Sequence, residues 1–345
     1  MRARDNIKKI RKQKASNIEE SGINPYPSKI SALRKKTRDV ILNFEKLKEK
    51  DVLIAGRIKS IRGHGALTFL GVEDDEGNMQ ALLNKEELGK KTYKFFLDNF
   101  DVGDFIEIKG TLFLTKRGEK TINIKKYKIL SKALLPLPEK WHGLKDTEER
   151  FRKRYLDFLM SAETRKKFII KSKIINEIRE FLNKKDFIEV ETPILQEMHG
   201  GAAAKPFKTH LHAMDINLYL RISPELYLKR LLVGGFEKVF EIGRIFRNEG
   251  MDASHNPDFT SLEFYWAYAD YKDLMNFYEE MFLFLVLKIF GKKTVAYQDK
   301  KIDFSPPFAV IDFFDLIEDK TGYDMKDLDE KEVVKIAKNF DIFTK

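Results

Sequence analysis

Two neighbouring segments carry charged and aromatic residues at a spacing of two. In an extended strand, residues two apart share a face. One face of "VFEIGRIFRNE" therefore carries Glu241, Gly243, Ile245, Arg247 and Glu249, and one face of "FTSLEFYW" carries Phe259, Ser261, Glu263 and Tyr265. Arg247 could hold a phosphate or a carboxylate by paired hydrogen bonds, and Phe259 could stack on a base. A solvent-facing sheet also shows one apolar and one polar side. An ordinary solvent-facing sheet gives no reason for a planar cation next to an aromatic ring, with a gap at Gly243, on the same face.

The elements around this hairpin predict a larger mixed α and β domain over residues 161–345. Apolar residues of "TRKKFIIKSKIINEIREFLNKKDF" recur at helical spacing, which predicts an amphipathic helix. "FIEVETPIL" follows as a strand, and its Pro193 fits an edge or an end better than the middle of a sheet. Residues 133–160 contain prolines and then a charged helical stretch, which predicts a linker.

Residues 51–132 have a different pattern. Five short apolar or alternating segments are separated by turn sequences such as "DEGN" and "KRGE", and a helical stretch lies between the third and fourth. This arrangement predicts a five-stranded OB-fold barrel, with a small sandwich as the alternative. Residues 1–50 read as a basic helical extension that two prolines interrupt near "INPYPSKI".

Charge and composition limit the class of protein. Residues 1–50 hold 15 Lys or Arg and 6 Asp or Glu, so this extension carries +9 of the total formal charge of +10. A polyanion such as nucleic acid suits that charge, and a solvated arm is the alternative. The chain has no cysteine, which excludes disulfides, thiolate zinc sites and cysteine nucleophiles and fits the reducing cytoplasm. No apolar run is long enough to cross a membrane, and the amino terminus lacks a secretory signal.

Several blocks together resemble one enzyme family. "FRNEG", "HNPDFTSLEFY" and "AYADY" resemble motif 2 of class II aminoacyl-tRNA synthetases in the form found in lysyl-tRNA synthetases. "LLPLPEKWHGLKD", "RKRYLDFL", "GGAAAKPFKTH" and "YLRISPELYLKRLLVGGFEKVFEIGR" are similar to upstream blocks of that family, and "FIEVETPIL" resembles motif 1. Ordered blocks over about residues 30–320 are more specific than one short motif. The resemblance implies an α+β multidomain protein, with an OB-fold barrel followed by an antiparallel-sheet catalytic domain.

The resemblance also implies roles for individual residues. Arg247 would be the catalytic residue, binding the α-phosphate of ATP and the amino-acid carboxylate. Other ATP-binding residues would be Glu249, His255, Asn256 and Phe259. The residues that bind lysine would be Gly201, Glu225, Glu241, Glu263 and Tyr265. The residues that bind the anticodon would be Phe69, Gln80 and Glu119.

Several of these residues have ordinary structural alternatives. His255 could be a surface group, and Glu225 could only complement a helix dipole after a Ser223 cap. Gly201 would approach the substrate with its backbone, or "GGAAA" would be a flexible connector. Phe69 could belong to the barrel core.

The implied reaction is that of a lysine–tRNA ligase in translation. L-lysine and ATP form lysyl-adenylate, and the lysyl group passes to the 3′ end of tRNA(Lys), with Mg²⁺ as the expected metal. A homodimer would form through motif 1, by the helix at 164–184 and the strand at 187–195. Family members continue well past residue 345 with metal-binding carboxylates and motif 3, so we expect the chain to be an N-terminal fragment that forms lysyl-adenylate poorly. The alternatives are a non-catalytic tRNA-binding fragment, an aspartyl or asparaginyl synthetase, and the paralogue that lysylates a translation factor.

Overall fold

A computed structural model describes residues 2–138, 146–252 and 254–340. The chain forms two compact units, Met1–Met160 and Ser161–Lys345. The first unit therefore includes the proline-containing stretch that we expected to act as a linker. Part of that stretch, residues 139–145, lies outside the described residues.

The first unit is built around a closed five-stranded barrel. Its elements are α1 (Arg2–Glu20), α2 (Thr37–Leu42), α3 (Phe44–Leu47), β1 (Asp51–His64), β2 (Leu67–Glu73), β3 (Asn78–Asn84), α4 (Lys85–Leu88), α5 (Lys90–Asn99), β4 (Phe105–Leu114), β5 (Lys120–Ser131), α6 (Thr147–Arg152) and α7 (Arg154–Met160). The strands close in the order β1-β2-β3-β5-β4, and α5 lies between β3 and β4 in the chain as predicted. The turn between β2 and β3 forms because the Asp74 carboxylate accepts hydrogen bonds from the N–H groups of Glu76 and Gly77.

The second unit combines two three-stranded sheets, one hairpin and several helices. Its elements are α8 (Ala162–Lys184), β6 (Ile188–Glu189), β7 (Leu195–Gln196), β8 (Lys208–Leu211), β9 (Ile216–Leu220), α9 (Glu225–Val233), β10 (Lys238–Phe246), β11 (Asp258–Trp266), α10 (Tyr271–Phe290), β12 (Thr294–Tyr297), β13 (Lys300–Asp303), α11 (Phe313–Thr321) and α12 (Glu330–Lys338). The sheet orders are β11-β10-β6 and β7-β9-β8, and β12 pairs with β13.

The β10–β11 sheet has one face packed on helices. Phe240 and its apolar neighbours form a core with side chains of α8 and α10, including Phe181 and Phe277. The α8 helix begins where Ser161 accepts a hydrogen bond from the N–H of Thr164. Since alternate residues of a strand point to opposite faces, this packing turns the other face of β10 and β11 away from the helices.

The predicted strand "FIEVETPIL" is wrong as a single element. The structure contains two strands of two residues there, β6 and β7, and they belong to different sheets. Pro193 lies between them, and its lack of an N–H donor explains why one continuous ladder does not form. In the described part of the chain, no helix has the length and apolar character needed to cross a membrane.

Candidate active site

The β10–β11 hairpin brings the predicted residues to one face. The strands pair antiparallel, with Glu241 opposite Glu263, Gly243 opposite Ser261 and Ile245 opposite Phe259. The ladder extends one step further, because the N–H of Arg247 donates to the carbonyl of Pro257 at 2.8 Å. Directly opposite residues of an antiparallel pair share a face.

Arg247 has a guanidinium group with an unused donor. Its Cζ atom lies 5.2 Å from the centre of the Phe259 ring, in the geometry of a cation–π contact. Its Nε atom is buried and has no hydrogen-bond partner among the described residues. A buried donor on a charged group is costly to leave unpaired. A bound anion such as a phosphate or carboxylate would supply the missing acceptor.

Glu263 lies on the same face and its carboxylate is half-buried. The hydroxyl of Ser223 lies 2.9 Å from Oε1 and 3.2 Å from Oε2 of this carboxylate. Burial raises the pKa of Glu263, and the charge of Glu225 also raises it, while the Ser223 hydrogen bond and the charges of Arg247 and Arg221 lower it. This is an incompletely compensated carboxylate, which suits a cationic ligand.

Tyr265 and Glu225 extend the acidic region beside Glu263. Burial raises the pKa of Tyr265, and the nearby charges of Glu225 and Glu263 raise it further. Tyr265 is therefore a neutral hydrogen-bonding group. Glu225 lies at the start of α9, where its Oε1 atom accepts a hydrogen bond from Lys229 Nζ at 2.6 Å.

Glu241 does not have a free carboxylate, contrary to the simplest expectation for a lysine-binding residue. It is 4% exposed. Its Oε1 atom pairs with the Arg221 guanidinium, and its Oε2 atom accepts from the Thr192 hydroxyl at 2.6 Å and from the Thr192 N–H at 3.2 Å. Gly243 leaves space for this pair, because a Cβ atom there would lie 2.1 Å from Arg221 Nη2. Glu241 thus supports the site by holding Arg221.

Gly201 packs against the start of α9. Its φ is +84°, and a Cβ atom at this position would lie 2.8 Å from Glu225 Cβ and 2.9 Å from Ser223 Oγ. Glycine meets both demands, since only a residue without a side chain adopts this backbone conformation at such close approach. The "GGAAA" segment therefore has a defined packing role at this glycine.

The remaining predicted ATP-binding residues lie on exposed backbone between β10 and β11. Glu249 accepts a hydrogen bond from the N–H of Lys205 at 3.3 Å. His255 Nδ1 lies 2.7 Å from Asp252 Oδ2, and Asn256 is exposed. In this structure these side chains therefore lie at the solvent-accessible edge, where they have room to meet a ligand held by Arg247.

Two of the three predicted anticodon residues, Gln80 and Glu119, contact each other on the outer surface of the barrel. Gln80 donates to Glu119 Oε2 at 2.7 Å and to Thr121 Oγ1 at 2.9 Å, and it accepts from Arg62 at 3.3 Å. Phe69 is half-buried and directly opposite Arg62 in the β1–β2 ladder.

The Gln80 and Glu119 side chains also line an open groove of about 510 Å³. Arg62 lines the same groove, whereas Phe69 is not one of its lining residues and lies opposite Arg62 on the neighbouring strand.

Two contributors to the site were not predicted in their roles. The sequence alone assigns no role to Arg221 and predicts only a helix cap at Ser223. Both lie in "RISPE", where residues 221, 223 and 225 alternate as they leave β9. That alternation was the available signal, because it repeats the spacing of the hairpin residues.

A metal site is not formed by the described side chains. Within residues 2–138, 146–252 and 254–340, no three histidine or acidic side chains come together as metal ligands. Because Mg²⁺ is often held by only one or two carboxylates together with substrate phosphates, this observation assigns no ligand to the ion that the family implies, and no step of the reaction is assigned to it.

Comparisons with known proteins agree with this geometry. Residues 146–344 match the family described as tRNA synthetases class II (D, K and N), and residues 52–130 match the OB-fold nucleic acid binding domain. The lysine–tRNA ligase of Thermosipho africanus is 45% identical over 97% of this chain and 68% of its own length. The enzyme of Carboxydothermus hydrogenoformans is 48% identical over 92% of this chain and 64% of its own length.

The lysine–tRNA ligase of Campylobacter jejuni is 45% identical, and the match covers 96% of this chain and 68% of that enzyme. The chain thus spans about two thirds of the length of these relatives. With a matching barrel, a matching catalytic unit and the hairpin chemistry in place, the chain belongs to the class II tRNA synthetases and, within them, to the lysine–tRNA ligase family.

Proposed function

We propose that the second unit binds ATP and L-lysine for the first step of lysine–tRNA ligation. The observation that carries this proposal is the buried, unpaired Nε of Arg247 above the Phe259 ring. A phosphate or carboxylate oxygen would accept from Nε, and the adenine would stack on Phe259. Across the same face, Glu263 and Tyr265 would receive the ε-ammonium group of lysine.

In the proposed reaction, a carboxylate oxygen of lysine attacks the α-phosphorus of ATP. A bond forms between them, and the bond to the β-phosphate breaks and releases pyrophosphate. Arg247 would offset the negative charge shared by the two reactants, so that they approach in line. The 3′-terminal ribose hydroxyl of tRNA(Lys) would then take the lysyl group and release AMP. No covalent bond to the protein is needed.

Selectivity for lysine would come from the cost of leaving a carboxylate unpaired. Aspartate and asparagine have no terminal ammonium group for Glu263, so either would leave that half-buried charge without a partner. This argument favours a lysine enzyme over the aspartyl and asparaginyl members of the same class.

Thermal unfolding with each amino acid tests the proposal. A ligand at 100 times its Kd stabilises the native state by about 2.7 kcal/mol. For a unit of this size that corresponds to a rise in Tm of about 5–10 °C. Relative to ATP alone, we expect L-lysine with ATP to raise the Tm of the second unit. Aspartate or asparagine with ATP should leave the Tm at the value measured with ATP alone. Equal effects of all three amino acids would contradict the assignment.

A matched pair of variants tests the role of Arg247. Arg247→Met should abolish the ligand-dependent rise in Tm. Arg244→Met makes the same change on the opposite face of β10, where Arg244 is exposed and pairs with Asp258, and it should retain the rise. An ATP–pyrophosphate exchange assay then measures whether the chain alone forms lysyl-adenylate.

The barrel supports binding of tRNA(Lys) independently of catalysis. We propose that Phe69 stacks on an anticodon base and that Gln80 and Glu119 read base edges in the groove. Binding should weaken steeply with salt, because phosphate contacts release counterions. A chain that binds tRNA but neither lysine nor ATP would favour the second candidate function, a non-catalytic tRNA-binding fragment.

We also propose a homodimer through the motif 1 region. Apolar side chains there are exposed, including Ile169, Ile188, Ile194 and Leu195. Light scattering should give twice the chain mass of 40.5 kDa, and a monomer at micromolar concentration would contradict this proposal. A role in translation would place the protein in the cytoplasm.

A further inference from the structure

Ser223 connects the start of α9 to the Glu263 carboxylate. The residue is 4% exposed. Its Oγ atom accepts a hydrogen bond from the N–H of Glu225 at 3.0 Å and lies 2.9 Å from Glu263 Oε1. A serine hydroxyl has one hydrogen. Because the amide donates to Oγ and an ionised carboxylate can only accept, that hydrogen points to Glu263.

We propose that Ser223 is a positioning residue that keeps Glu263 ionised and holds it in the direction of a ligand ammonium group. The inference rests on the proposed lysine site and deepens it. Ser223 reaches this carboxylate from outside the sheet, and Tyr265 on β11 is a second neutral hydrogen-bonding neighbour of the same carboxylate. Gly201 makes the arrangement possible, because a Cβ atom there would lie 2.9 Å from the hydroxyl.

The surroundings of Glu263 have opposite effects on its pKa. Burial and the Glu225 carboxylate raise its pKa, whereas the Ser223 hydrogen bond, Arg247 and Arg221 lower it. Tyr265 is neutral and adjoins the same carboxylate. Loss of the Ser223 hydroxyl would remove one of the effects that lower the Glu263 pKa. The pKa would therefore rise, and the carboxylate would take up a proton at higher pH.

The first test measures the Glu263 pKa directly in the chain without ligand. Carbon-13 NMR of the glutamate carboxyl carbons, with Glu263→Gln to assign the signal, should show a higher pKa in Ser223→Ala. Ser161→Ala is the matched control, because it also removes a hydroxyl that accepts from a backbone N–H at a helix start, there α8. The control should leave the Glu263 pKa unchanged. An unchanged pKa in Ser223→Ala would overturn the inference.

The second test measures L-lysine binding by calorimetry as a function of pH. A hydrogen bond to a charged group is worth about a tenfold change in affinity. We expect Ser223→Ala to weaken binding about five- to tenfold below the Glu263 pKa that the first test measures for this variant, and less above that pKa, where Glu263 is again ionised. A pH-independent loss equal to that of Ser161→Ala would reduce Ser223 to a helix cap and overturn the inference.

The two tests separate this inference from the proposed function. If the unsubstituted chain binds no lysine but Ser223→Ala still raises the Glu263 pKa, the lysine site is refuted while the control of ionisation by Ser223 is supported.

Discussion

The buried Arg221–Glu241 pair offers the most direct test of how the site is held together. The Arg221 side chain is 2% exposed and that of Glu241 is 5% exposed. Besides the ion pair, Arg221 donates from Nε to the Arg244 carbonyl at 2.9 Å and from Nη1 to the Thr192 carbonyl at 3.2 Å. Arg221→Met would keep most of the apolar volume and remove all of these donors.

The expected cost follows from the charge that remains. Removal of one partner from a buried ion pair destabilises a protein by about 3–5 kcal/mol, because the other charge stays buried without compensation. Glu241 would retain only its two hydrogen bonds from Thr192. At about 2–4 °C per kcal/mol for a unit of this size, the Tm should fall by about 6–20 °C.

A second substitution distinguishes this cause from lost packing. In the Arg221→Met background, the Glu241 carboxylate has lost its cation. Glu241→Gln replaces this buried charge by a neutral amide and should recover part of the lost stability. Calorimetric scans of the three variants, each compared with the unsubstituted chain, provide the measurement. If Arg221→Met costs less than about 1 kcal/mol, or if Glu241→Gln destabilises it further, the buried charge is not what holds these strands.

Three further predictions follow from the same geometry. Gly243→Ala should destabilise the second unit by about 1–3 kcal/mol by displacing Arg221, whereas Gly250→Ala, with nothing within 4 Å of the new Cβ, should stay within about 0.5 kcal/mol in urea unfolding. Glu263→Gln should raise stability at neutral pH and abolish binding of L-lysine. Because burial raises the folded-state pKa of Glu263 above its ordinary value, the ionised carboxylate costs stability once the pH rises above that ordinary value. The Tm difference between this variant and the unsubstituted chain should therefore vanish in acid, and a difference that grows in acid would contradict the sign. Phe69→Leu should weaken tRNA binding about tenfold, since one stacked base is worth about 1–3 kcal/mol, and an unchanged Kd in a filter-binding assay would remove Phe69 from the interface.

Strand periodicity accounts for what could be predicted at the hairpin. Spacing predicts that Phe259 and Glu263 share a face of one strand and that Arg247 lies on the mixed polar face of the other, and the β10–β11 pairing, continued by the Arg247–Pro257 hydrogen bond, brings these two faces together. This inference succeeds because the alternation of side chains is a local property of an extended backbone. The OB barrel was predictable for a similar reason, since turn sequences separate its strands and the helix α5 interrupts them at one position.

Contacts between distant residues account for what could not be predicted. Arg221 and Glu241 are 20 residues apart and meet across two different elements. The alternation in "RISPE" indicates that Arg221 and Ser223 share a direction, but it does not indicate that the arginine lies against Gly243. The single strand expected at 187–195 failed for the same reason, because its two halves pair with β10 and β9 in separate sheets.

The sequence by itself determined which residues of each hairpin strand share a face, and through the ordered blocks it determined the family. Only the tertiary structure decided which of those side chains are free to meet a ligand. Arg247 retains an unpaired donor, whereas the Glu241 carboxylate is already taken by Arg221 and Thr192. The physical reason is that facing a site depends on backbone geometry within one strand, while the availability of a charge depends on every group that folding packs against it.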